Sequence, residues 1–209
     1  MLSAYEITDE PIGDRRIKKL PEQVQDRIDD LYELAQSHPK QAIPELEKLV
    51  ADYPHIPTFY NHLSVAYFNT GDIEKAEAVV LETYRRHPTY LFAKINYAQF
   101  CLRKGEIDQI PDIFDHKFDL KLLYPRRSRF HITEFVNFAG IMCRYFHAIG
   151  EQETADLFYQ SLKRVAPRDR MTKLVKRIMY PPWWIRWLRT WAGKRVGEKV
   201  DNPERRDLT

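Results

Sequence analysis

Residues Pro57 to Tyr90 read PTFYNHLSVAYFNTGDIEKAEAVVLETYRRHPTY, and this stretch decides the fold. Leu63, Ser64 and Tyr67 recur at i, i+1 and i+4, which puts them on one face of a helix, and small Ser64 leaves room there for a second helix. Gly71 supplies the left-handed conformation that closes the first helix, and Asp72 is placed to cap a second over Ile73 to Arg86. Ala76 again admits a close neighbour, with Glu77 beside it on the solvent side, and Pro88 ends the unit because it cannot continue a helix. The stretch is a helical hairpin.

The hairpin repeats. Gly71-Asp72 and Gly105-Glu106 stand 34 residues apart, as do Ala42 and Ala76, Pro54 and Pro88, and Ile73 and Ile107. Leu91 to His116 keeps Tyr97, Ala98 and Cys101 at the packing positions but has Ile110 where alanine is expected and Pro111 beside it, which predicts a short or displaced second helix. Met142, Cys143, Phe146, Gly150, Ala155, Tyr159, Leu162 and Pro167 recover the pattern after an insertion of 11 residues, expected within Phe118 to Phe130. Upstream, Pro39 to Pro54 reads as a second helix, and its partner Glu22 to Gln36 carries Asp29-Asp30 where the packing pair belongs.

Counted from Pro57 as position 1, Tyr60, Leu63, Ser64, Tyr67, Gly71, Asp72, Ala76 and Pro88 fall at 4, 7, 8, 11, 15, 16, 20 and 32, and this resembles a tetratricopeptide repeat. The resemblance covers Pro21 to Pro167. It implies an all-α fold, a right-handed α-solenoid of about four hairpins with a C-terminal capping helix. The organisation expected is an N-terminal arm over 1–20, the repeats over 21–169, basic and Trp-rich helices over 170–192 and a disordered tail over 193–209.

In this family the first helix of each hairpin lines a concave groove. Transferred by position, the resemblance implies a lining of Asn61, His62 and Asn69 with Thr58, Val65 and Phe68 in one repeat. The next contributes Asn96, Gln99 and Arg103 with Phe92, Ile95 and Leu102; the last contributes Asn137 and Arg144 with Ile141 and His147. Amides able to bond an extended backbone alternate with apolar contacts and two arginines, a lining suited to a peptide segment bearing an acidic group. A subclass grips the terminal carboxylate of heat-shock chaperones through Lys and Asn; this chain has Asn61, Val65, Asn96, Asn137 and Ile141 at those positions, and only Asn96 fits.

Composition limits the alternatives. The seven histidines are scattered, with no His-x-x-x-His or Cys-x-x-Cys pair, no Gly-x-Ser-x-Gly and no phosphate-binding glycine loop, so neither a metal, a cofactor nor an enzymatic activity is expected. Cys101 and Cys143 occupy packing positions and read as buried thiols. Met1 to Leu20 has charges and no apolar core, and the chain has no run of about 18 apolar residues, so a cytoplasmic location is expected.

The net charge of +3 hides a split: Gln160 to Thr209 has 14 Lys or Arg against 5 Asp or Glu. Within it Tyr180-Pro-Pro-Trp-Trp-Ile-Arg-Trp-Leu-Arg-Thr-Trp191 places Trp184, Trp187, Leu188 and Trp191 on one helical face. Three covers suit such a face: the last repeat, as a cap; an anionic membrane surface, peripherally; or a protein partner, including a second copy. The basic run Lys163 to Arg177 and the cluster Arg126, Arg127 and Arg129 come without a nucleic-acid motif and read as solvated faces, which argues against RNA or DNA. The expected function is a protein-binding adaptor or assembly factor, with a membrane tether as the rival reading.

Overall fold

In the computed structural model, residues 5–183 are described, and the chain over them is an all-α solenoid of helical hairpins. Helices α1 (Glu22–Ser37) and α2 (Pro39–Asp52) form the first hairpin, α3 (Pro57–Thr70) and α4 (Ile73–Arg86) the second. The third begins with α5 (Leu91–Lys104), whose return is a 3-10 turn over Ile107–Gln109 and the short α6 (Ile110–Ile113). After α7 (Leu120–Leu123) the last hairpin pairs α8 (Ile132–Ala148) with α9 (Gln152–Val165), and α10 (Arg170–Met179) packs on both. The expected Trp184 to Trp191 face lies outside the described residues, and α10 is the element seen covering the last hairpin.

Local chemistry sets the turns. Gly71, Gly105 and Gly150 have φ of 83°, 79° and 86°, the left-handed region that closes a helix without a Cβ clash. Asp72 accepts from the Lys75 backbone N–H at 3.2 Å as the α4 cap. The helices approach one another within and between hairpins through small residues, and Ala35, Ala42, Ala66, Ala76, Ala98, Ala139 and Ala155 are all fully buried. Gly140 belongs with them: a Cβ there would stand 2.3 Å from the Met171 Cγ of α10.

The core is continuous through α5. One side of that helix turns Phe100 toward the α1–α4 core, while Ile95, Ala98 and Cys101 join the core around Phe114, Phe130, Phe138 and Leu162. Burial pushes the Cys101 thiol up to about 11 and the Cys143 thiol up to about 12, so neither offers a thiolate near neutral pH.

The segment from Lys104 to Ile132 has only short elements, and one buried charge fastens it. Lys94 occupies the position of Tyr60 in the preceding repeat and is 5% exposed. Its Nζ donates to the Ile113 carbonyl at 2.5 Å and pairs with Asp115 at 3.2 Å. Asp115 and His116 take φ of 52° and 55°, reversing the chain after α6.

The N-terminal arm is fastened through a short strand. Its strand β1 (Glu6–Thr8) pairs in parallel with β2 (Arg129–His131), with Ile7 opposite Phe130. Tyr5 meets Phe130 edge-on at 5.1 Å, Arg129 pairs with Glu6 at 3.2 Å and Glu10 at 2.9 Å, and the His131 ring bonds the Asp9 carbonyl at 3.2 Å. The arm then reaches the start of α1, where Gln25 Nε2 donates to the Leu20 carbonyl at 2.7 Å and Leu20 enters the first core. One arm thus touches the first and last hairpins.

Candidate partner-binding surface

Helices α1, α3, α5 and α8 are the first helices of successive hairpins, and their neighbouring side chains bond across the helix boundaries. Asn69 Nδ2 donates to the Ala35 carbonyl at 3.0 Å, joining α3 to α1. Asn96 Nδ2 donates to Asn61 Oδ1 at 2.8 Å, joining α5 to α3. Arg144 Nη1 donates to Gln99 Oε1 at 2.5 Å, joining α8 to α5. The Arg103 guanidinium lies 5.3 Å from the centre of the Phe68 ring and 5.0 Å from that of Phe100, a cation–π contact between α5 and α3. Seven of the residues expected in the groove, Asn61, Phe68, Asn69, Asn96, Gln99, Arg103 and Arg144, thus make contacts across these helix boundaries, and the amides and Arg144 form a polar row.

Each bond leaves capacity unused. A side-chain amide has two N–H donors and an oxygen, and the Asn61 and Gln99 oxygens are engaged while their NH2 groups have no partner among the described residues. Burial lowers the Arg144 pKa, and among the described residues no carboxylate lies within 4 Å of its guanidinium. The row is a hydrogen-bonding surface with a partly buried positive charge at the α8 end.

Other expected lining residues sit differently. His62 is 6% exposed beneath the Tyr32 ring, 5.0 Å away, and its Nδ1 has no hydrogen-bond partner among the described residues. Ile95 and Ile141 are buried and belong to the core that α5 shares with α8. Asn137 donates to the Thr133 carbonyl one turn back in its own helix, at 2.8 Å, and His147 bonds Gln152 at 2.8 Å. Tyr32, 42% exposed beside His62, belongs to the surface and was missed because the α1 register is irregular.

The arginine cluster of the insertion is largely neutralised. Arg127 makes a bidentate pair with Glu134 at 2.6 and 3.0 Å and stacks 4.2 Å from the Phe130 ring centre, and Arg129 is held by Glu6 and Glu10. Among the described residues no group of three metal-ligating side chains occurs, and no helix is long and apolar enough to cross a membrane.

Over 101 residues, 48% of its length, the chain is 30% identical to the TPR repeat-containing protein YvcD of Bacillus subtilis (strain 168). With the helical hairpins, this supports a tetratricopeptide-like family. The chain covers 20% of that relative's length. No family model matches the chain.

Proposed function

We propose that the protein is a protein-binding adaptor that holds an extended, acidic partner segment along the first helices of its hairpins, in the manner of a concave groove. The reading rests on one observation: Arg144 is partly buried, bonded among the described residues only to a neutral amide, and set beside a row of amides with open donors. A half-desolvated guanidinium gains most from a carboxylate, and side-chain amides suit the repeating donors and acceptors of an extended backbone. The tetratricopeptide-like relative supports a protein partner at the level of the family.

The test is a peptide-array screen with the full chain, followed by fluorescence anisotropy on the strongest binders. The reading requires acidic sequences to dominate and their binding to fall in Arg144→Ala with an unchanged circular dichroism spectrum. Neutral or basic sequences among the strongest binders, or equal binding by the variant, would move the site off this row.

A further inference from the structure

We propose that the C-terminal end of the solenoid is a second interaction surface, one that docks on an anionic lipid membrane. Helix α10 turns Thr172, Val175 and Met179 into the protein and leaves Arg170, Lys173, Lys176 and Arg177 exposed. At about 100° per residue those four cations and the following Tyr180 fall within a face roughly 120° wide. No acidic residue interrupts the helix, and among the described residues none of the four cations is in an ion pair.

The basic face runs directly into aromatic surface. Tyr180 donates to Asp156 and lies 5.4 Å from the Tyr159 ring, which fixes the end of α10 to the last hairpin while 44% of Tyr180 stays exposed. Pro181-Pro182 then carry the chain to Trp183, which is 79% exposed. The sequence continues with Trp184, Trp187, Leu188 and Trp191 interleaved with Arg186, Arg189 and Lys194.

Charge complementarity and the aromatic content together select the occupant. Lys and Arg are drawn to anionic headgroups, and tryptophan rings are most favourable at the boundary between headgroups and acyl chains. A nucleic acid would use the cations but would not require exposed Trp183 or the tryptophan-rich sequence that follows it. A lipid interface accommodates both at one depth.

The experiment is flotation of the full chain with vesicles of phosphatidylcholine alone and with vesicles containing phosphatidylcholine and phosphatidylserine in roughly equal amounts. The chain should float with the anionic vesicles only, and added salt should release it. Neutralising three cations as Lys173→Gln, Lys176→Gln and Arg177→Gln should lower partitioning on the order of 100-fold, since each basic residue near the surface contributes about 1 kcal/mol. These positions are exposed, so circular dichroism of the variant should match the parent. Equal flotation with neutral vesicles, flotation with neither, or an undiminished triple variant would overturn the proposal; so would binding to single-stranded RNA without flotation, which would make this a nucleic-acid surface.

Discussion

Arg144 reaches across the boundary between α8 and α5 to donate to Gln99 at 2.5 Å, and the bond joins a cation to a neutral group. A charge held this way costs desolvation without recovering it from a counter-ion, so its removal should separate folding from binding. Arg144→Met is expected to leave thermal stability unchanged or raised, while Arg144→Ala weakens an acidic peptide by about 1.5–3 kcal/mol, the range for charge-assisted hydrogen bonds. Arg103→Ala should weaken it by a similar amount. Calorimetric melting beside anisotropy titrations checks both halves, and a melting temperature that falls with affinity would show Arg144 to be structural.

The close helix contacts should tolerate no added volume. Ala76→Leu and Ala155→Leu fill sites with no exposed surface and should each cost about 1–3 kcal/mol, whereas Ala78→Leu on the exposed side of α4 should change little. Glu77, read from sequence as an inert surface position, is no suitable control, because it accepts from Lys104 of the next hairpin. Gly140→Ala should force Met171 aside and loosen α10. Urea denaturation of the four variants measures this, and equal midpoints would contradict the packing.

Stability should fall in mild acid through His62. Burial holds its imidazole down at about 4 against an ordinary 6.5, so the folded protein keeps the ring neutral where the unfolded chain binds a proton. The contribution is complete above the unfolded value and is lost as pH falls from there toward 4, a difference on the order of 3 kcal/mol. His62→Phe keeps a ring beneath Tyr32 and should flatten that part of the profile. Urea unfolding at about pH 7.5 and about pH 4.5 would show it, and an equally steep variant would assign the loss elsewhere.

The arm should be held by its aromatic contact more than by its charges. Tyr5→Ala removes an edge-on contact with the buried Phe130 and should cost about 1–2 kcal/mol, while Arg129→Ala, whose ion pairs stand in solvent, should change stability little. Thermal melts of the two variants rank the contributions, and the reverse order would make the ion pairs the fastening.

The hairpins were legible because their determinants are local. Gly71, Gly105 and Gly150 take the left-handed turns their spacing predicts, and Asp72 caps the helix that follows it. Lys94 was not legible: it stands where Tyr60 packs in the repeat before, and its burial depends on a carbonyl and a carboxylate 19 and 21 residues away. The pairing of Glu6–Thr8 with Arg129–His131 rests on two three-residue strands whose sequences carry no signal for each other. At the candidate site, the family resemblance pointed to Asn61, Asn96, Gln99 and Arg144 by repeat position, but not to the bonds among them. The resemblance also put His62 in that lining, where Tyr32 from an irregular first helix covers it.

An open repeat array responds to load and heat like a chain of links, each melting with only its neighbours to restrain it. The arm ends that independence here, because the pairing of β1 with β2 and the Tyr5–Phe130 contact close a loop of about 120 residues around the first three hairpins. During synthesis the arm emerges about 120 residues before its docking strand and finds it only after residue 131 has followed. The arm therefore waits unpaired while three hairpins are made, and its docking turns a row of links into a buckled belt.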